Sequence, residues 1–243
     1  MTDRDDALRA LHCLDLTNLN DICTSADIDA LIAKDRSAFG DVAAICIWPR
    51  FVAQAKQTLT QSNIRIATVI NFPSGDETVE ASCIATRQAI TDGANEIDVV
   101  LPWRAFLQGK HDVAHALLLA VAQETKPQAH LKVILETGEL KDPQLIRQAS
   151  ELAIECGADF IKTSTGKTPV SATPEAARAM LQVIRASGKK VGFKASGGIR
   201  SFEDAKLYLA LCDEIMGPEW AKPETFRFGA SGLLDALLER LSA

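Results

Sequence analysis

No run in the 243 residues approaches the ~20 consecutive apolar residues that a membrane-spanning helix requires. The opening residues, Met1-Thr2-Asp3-Arg4-Asp5-Asp6, are charged and lack the apolar core of a secretory leader. Positive charge is in deficit. With a net charge of −6 and a pI near 5.3, the basic face of a nucleic-acid binder is missing, although a local cationic site for a phosphate is still allowed. The six cysteines (Cys13, Cys23, Cys46, Cys83, Cys156 and Cys212) form no C-x-x-C pair and no zinc-like spacing. They read as reduced, mostly buried thiols of a cytosolic protein. No linker, low-complexity tract or Gly-x-Gly-x-x-Gly turn interrupts the chain. These absences leave one soluble, cytoplasmic domain spanning residues 1–243 as the expectation.

Hydrophobic residues make up 47 % of the chain and charged residues 24 %, enough for a sizeable core and too much for disorder. Short apolar strands recur at Cys13–Thr17, Ala43–Ile47, Ile64–Ile70, Glu96–Leu101, Leu131–Glu136, Asp159–Thr163, Lys190–Ala195 and Phe226–Gly229. Helical patterns lie near 26–38, 50–61, 77–92, 111–125, 142–156, 174–187, 201–213 and 232–241. Strand and helix in strict alternation predict an α/β fold, a parallel (β/α)8 TIM barrel, which typically needs ~250 residues. An open doubly wound sheet competes, but its glycine-rich turn is absent. Ser201 with Asp204, Thr173-Pro174 and Asp142-Pro143 read as helix starts, while Gly93, Gly157 and Gly188 read as left-handed helix ends.

Barrel chemistry sits at the C-terminal ends of the strands. Those positions hold Asp15, Thr17, Cys46, Asn71, Asp98, Glu136, Lys162, Lys194 and Gly229 through Ser231, most of them polar or ionisable. Two successive strands end in lysine, Phe160-Ile161-Lys162 and Gly192-Phe193-Lys194. Two ammonium groups ~4 Å apart repel by about 4 kcal/mol at an effective dielectric of ~20, roughly three pKa units before relaxation. Such a pair can keep one amine neutral and ready to attack a carbonyl. A single lysine would read as a snorkelling surface residue. Two at matching strand ends read as a site.

Asp98, a carboxylate within an apolar strand, fits either a structural salt bridge to these lysines or a proton shuttle through a held water. Glycines at Gly197-Gly198 and Gly229, with Ser231 at the start of the last helix and Gly166-Lys167 after the sixth strand, predict a phosphate site. Cys46 reads first as a small buried thiol; it is carried as a substrate neighbour without a catalytic role. Two other motifs fail. Ser164-Thr165-Gly166-Lys167-Thr168 lacks the leading glycine of a nucleotide P-loop, having Ile161 there, and Pro169 rather than a helix follows. His111-Asp112-Val113-Ala114-His115 has Asp where a zinc protease has Glu, and it lies on a peripheral helix. His12 and His130 lack identifiable partners, so no metal and no cofactor are expected.

Taken together, Leu14-Asp15-Leu16-Thr17-Asn18-Leu19, Ile45-Cys46-Ile47-Trp48-Pro49-Arg50, Asn95 through Pro102, Lys132 through Thr137, Phe160 through Gly166, Gly192 through Arg200 and Phe226 through Ser231 make the chain resemble the deoxyribose-phosphate aldolases of the bacterial type. The match runs over nearly the full length. The resemblance implies a metal-free class I aldolase that cleaves 2-deoxy-D-ribose 5-phosphate reversibly to acetaldehyde and D-glyceraldehyde 3-phosphate. Lys162 matches the Schiff-base lysine, Lys194 the lysine that tunes it, and Asp98 the proton-relay carboxylate. Asp15 and Thr17 match residues near the sugar hydroxyls, with Cys46 and Thr165 as further substrate contacts. Gly166, Lys167, Gly197, Gly198, Gly229 and Ser231 match the phosphate site. The resemblance also implies a homodimer. Two departures stand out: Gly232 occupies the place of a second serine, and the chain ends Leu241-Ser242-Ala243 without the terminal tyrosine of some relatives. A phosphosugar isomerase, another Schiff-base aldolase and a non-catalytic sugar-phosphate sensor are the competing readings.

Overall fold

A computed structural model describes residues 2–242. Eight strands, β1 (Leu14–Asn18), β2 (Ala44–Ile47), β3 (Arg65–Ile70), β4 (Glu96–Val100), β5 (His130–Ile134), β6 (Phe160–Lys162), β7 (Gly192–Ser196) and β8 (Phe226–Ala230), pair in parallel with their sequence neighbours. β1 also pairs with β8, so the sheet closes. This is the expected (β/α)8 barrel.

Side chains alternate across a strand, and the two faces of this sheet have opposite chemistry. Ile97, Val99, Leu131, Val133, Ile161 and Phe193 pack with helix residues in the main apolar core. Burying each such side chain contributes about 1.5–3 kcal/mol. The alternate positions face the barrel axis. On β2 and β3 they carry small or uncharged groups, with Cys46, Ala67 and Val69 forming a separate small cluster with Leu19, while β1 points Asp15 inward. On the remaining strands they carry charges: Glu96, Asp98, Lys132, Lys162, Lys194 and Arg227.

Helix ends follow from local chemistry. Ser201 and Asp204 form a capping box, Thr173 and Asp142 cap helices that begin with proline, and Gly93, Gly157 and Gly188 have φ of 114°, 95° and 63°. Several elements differ from the sequence expectation. Helix α1 (Asp3–His12), opened by its own Thr2–Asp5 capping box, was read only as a charged stretch. The helix near 26–38 stops at Ile32, because Arg36–Ser37 and Gly40–Asp41 pair as an antiparallel ladder. The fifth strand ends at Ile134, two residues short of Glu136, whose φ of 57° turns the chain out of the sheet. A short helix, Thr137–Leu140, follows, and another covers Trp103–Leu107.

Candidate active site

Register brings the charges together. Lys162 of β6 stands beside Lys194 of β7, and Lys194 beside Arg227 of β8. Asp98 of β4 stands beside Lys132 of β5. Asp98 lies at the centre: its Oδ1 accepts from Lys132 Nζ at 2.8 Å, and its Oδ2 accepts from both Lys162 Nζ and Lys194 Nζ at 2.9 Å. Asp15 Oδ2 accepts from Lys194 at 2.5 Å and Asp15 Oδ1 from Arg227 at 2.6 Å. Glu96 pairs with Lys132 at 2.5 Å and with Arg227 at 2.8 Å. All of these side chains are buried; Lys162 keeps 2 % exposure while Lys194, Asp98 and Lys132 keep none.

Isolated charges could not be held there, since each buried ion costs several kcal/mol unless paired. Pairing decides their titration. Burial pushes the Asp98 carboxyl up, but Lys132, Lys162 and Lys194 together hold it well below the usual carboxylate range. Asp15 is likewise lowered against burial, by Lys194, Arg227 and Lys132. Burial pulls Lys194 and Lys132 down, yet the carboxylates around them outweigh it, so both are raised and stay ammonium ions. Arg227 is raised in the same way by Asp15 and Glu96.

The sequence predicts a repelling pair of ammonium groups with Asp98 beside it. In the structure one Asp98 oxygen lies between the two, and two further cations, Lys132 and Arg227, join the cluster. The quantity that matters is therefore the sum over the cluster: four basic side chains face three carboxylates. With the Lys162 amine uncharged the cluster is neutral. Lys162 is also the member with a single carboxylate contact and a trace of solvent access.

At the C-terminal ends of β1, β6, β7 and β8 a pocket of about 230 Å³ opens. Thr17, Thr165, Gly166, Lys167, Gly197, Gly198, Gly229 and Ser231 line it. Glycine is required at two of these positions. Gly197 has φ 84°, and a Cβ there would lie 2.6 Å from the Ser171 hydroxyl. A Cβ on Gly229 would lie 2.6 Å from Ser196 Oγ and 2.9 Å from Lys194 Cε, so this glycine links the pocket to the charge cluster. Arg200 and Asn20 also line the pocket and were not selected from sequence. Lys167 is held at the rim by Asp21 at 2.9 Å.

Asp15 and Cys46 do not line this pocket. Asp15 is inside the cluster with both oxygens bound, not in the pocket, because Lys194 and Arg227 take its lone pairs. Cys46 is buried among Leu19, Ala67 and Val69, and burial raises its thiol. His111 stacks on Phe106 outside the barrel. Among the described residues no three or more His, Cys, Asp or Glu side chains group as a metal site. Lys132 and Arg227 did leave a signal in the sequence: each is a lone charge at an inward position of an otherwise apolar strand.

Residues 9–236 match the model of the DeoC/LacD family aldolase. A deoxyribose-phosphate aldolase of Agrobacterium fabrum is 56 % identical over 240 residues, covering 98 % of this chain and 93 % of that one. The solved structure of a Toxoplasma gondii ME49 protein superposes with a TM-score of 0.91 at 25 % identity, over 99 % of this chain and 97 % of that one. The tetrameric deoxyribose phosphate aldolase of Aeropyrum pernix superposes with a TM-score of 0.79 at 25 % identity, over 100 % and 93 % of the two chains.

Proposed function

The chain belongs to the DeoC/LacD family of aldolases, and from that premise we propose that it is a class I aldolase cleaving 2-deoxy-D-ribose 5-phosphate reversibly into acetaldehyde and D-glyceraldehyde 3-phosphate. The observation that carries the reading is the shared Asp98 oxygen, to which Lys162 and Lys194 both donate. Lys162 is the nucleophile, Lys194 the permanent cation and Asp98 the relay.

The uncharged Lys162 amine attacks the aldehyde carbon of the open-chain sugar, and loss of water gives an iminium. The iminium restores the surplus positive charge of the cluster, next to a carboxylate that receives it. As the C3 hydroxyl gives its proton to water held by Asp98, the C2–C3 bond breaks and sends its electrons into the iminium; the resulting enamine is neutral, so the cluster is balanced again. With either the free amine or the enamine at Lys162 the cluster carries no net charge, and the iminium serves as the electron sink. Glyceraldehyde phosphate leaves. Water held by Asp98 protonates the enamine, and hydrolysis of the new iminium releases acetaldehyde.

The pocket of Gly166, Lys167, Gly197, Gly198, Gly229 and Ser231 takes the phosphate, with Thr17 and Thr165 toward the sugar. We include a homodimer and a cytoplasmic location in this reading, with residues 1–243 acting as one catalytic unit. No helix among the described residues is long and apolar enough to cross a membrane. Borohydride added with substrate should leave an adduct on Lys162, and Lys162→Ala should release no glyceraldehyde 3-phosphate in a coupled assay. An unmodified Lys162, or a variant that still turns over, would remove the mechanism.

A further inference from the structure

Glu136 is a completely buried carboxylate with no cation within ion-pair distance among the described residues. Its backbone sits at φ 57° and ψ 59°, a left-handed conformation that a non-glycine residue adopts only when its surroundings hold it. What holds it is the loop that follows the Schiff-base lysine. Thr165 N donates to both carboxylate oxygens at 3.3 Å, Thr165 Oγ1 donates to Oε2 at 2.5 Å, and Thr168 Oγ1 donates to Oε1 at 3.2 Å. The same Thr165 hydroxyl accepts from Lys167 N at 3.0 Å, which fixes the turn through Gly166. Neighbouring residues of the Glu136 segment reinforce the contact. Thr137 N donates to Thr163 O at 2.9 Å, and Gly138 packs so closely on the Val170 backbone that no side chain could stand there.

A carboxylate at this position is not needed to fill space, and burial alone disfavours its charge, raising its titration against the bonds from Thr165. Its four acceptor contacts all go to one short loop, and that loop contributes Thr165, Gly166 and Lys167 to the pocket. We propose that Glu136 is a positioning residue that determines specificity for the phosphorylated end of the substrate: it holds Thr165 so that Gly166 and Lys167 present the shape an oxyanion of the phosphate class fits. This inference rests on the aldolase reading for its substrate. Its core, the link from Glu136 to phosphate binding, does not need turnover.

The test compares wild type with Glu136→Gln, Thr165→Val and the double variant, each checked for folding by circular dichroism and thermal melting. Calorimetry with inorganic phosphate as the probe should show binding weakened about ten-fold in each single variant, as expected for losing a charge-assisted contact. The double variant should be no weaker than the worse single one, because the two residues act in series. In the same chains, the ratio of kcat/KM for 2-deoxyribose 5-phosphate to that for 2-deoxyribose should fall about ten-fold in Glu136→Gln. Wild-type phosphate affinity in both single variants, or equal losses on the two sugars, overturns the proposal. A wild-type enzyme that binds phosphate but cleaves neither sugar overturns the aldolase reading instead, and the calorimetric comparison still decides the role of Glu136. Should Glu136→Gln fail to fold, Thr165→Val alone decides it by the same binding measurement.

Discussion

Arg227 grips both oxygens of Glu96, at 2.8 Å through Nη2 and 3.2 Å through Nη1, while the same Nη1 reaches Asp15 at 2.6 Å. Its Nε donates to the Pro223 carbonyl at 2.5 Å. The guanidinium therefore ties Asp15 and Glu96 into the charge cluster, which reaches Lys162 through Asp98. Because no solvent reaches the members between them, a charge removed at Arg227 is felt at Lys162.

Two substitutions should shift the pH dependence in opposite directions. In Arg227→Met three cations face three carboxylates, so the cluster tolerates positive charge better and the acid limb of kcat/KM moves to higher pH. In Glu96→Gln the surplus grows, and the limb moves to lower pH. Each shift should be on the order of one pH unit for a charge of this kind at an effective dielectric of ~20. Arg227→Met also leaves two buried carboxylates short of a partner, a loss of about 3–5 kcal/mol in denaturant unfolding. Shifts of the same sign in both variants would reject the charge-sum account.

Gly229→Ala should be a severe catalytic variant with a modest structural cost. The added methyl would sit 2.9 Å from Lys194 Cε and 2.6 Å from Ser196 Oγ, so the Lys194 stem has to move. Displacing a catalytic group by an ångström costs about 10²-fold in rate. Overpacking costs about 1–3 kcal/mol. Steady-state rates and a thermal melt on the same sample separate the two effects.

Asp35 makes stability pH-dependent. It is 2 % exposed, its Oδ2 has no hydrogen-bond partner, and Arg36 Nε lies 3.8 Å from Oδ1. Burial, with Asp41 adding to it, pushes the carboxyl up to about 6. The folded value lies above the unfolded one, so the protein favours the neutral acid at low pH and loses that stability as pH rises through 6. Asp35→Asn should therefore raise Tm at pH 8 and change it little near pH 4. A gain of equal size at both pH values would point to packing instead.

Much of this was legible because the barrel obeys two simple periods. Phe160-Ile161-Lys162 and Gly192-Phe193-Lys194 stood out as apolar strands ending in a charge, and Asp98 as a carboxylate among Ile97, Val99 and Val100. Lys132 and Arg227 are single charges in apolar strands, and only the register that sets them beside Asp98 and Lys194 makes them part of the cluster. The fate of Asp15 was hidden for the same reason: its partners, 179 and 212 residues away, exist only once the barrel closes. Glu136 reads as the end of a strand in sequence, since a left-handed residue other than glycine leaves no local mark. The Thr2–Asp5 box that opens α1 is present in the sequence, but four charges in six residues mask the helix behind it.

The dry interior has a consequence for how the enzyme responds to its medium. Dissolved ions screen only charges they can approach, over about 8 Å at physiological ionic strength. Lys132, Glu96 and Asp98 lie where no counter-ion enters, whereas the Lys167–Asp21 pair at the rim has its carboxylate 81 % exposed. Added salt should thus weaken capture of the phosphate while leaving the bond-breaking step nearly indifferent, so that the Michaelis constant climbs with ionic strength and the limiting rate holds.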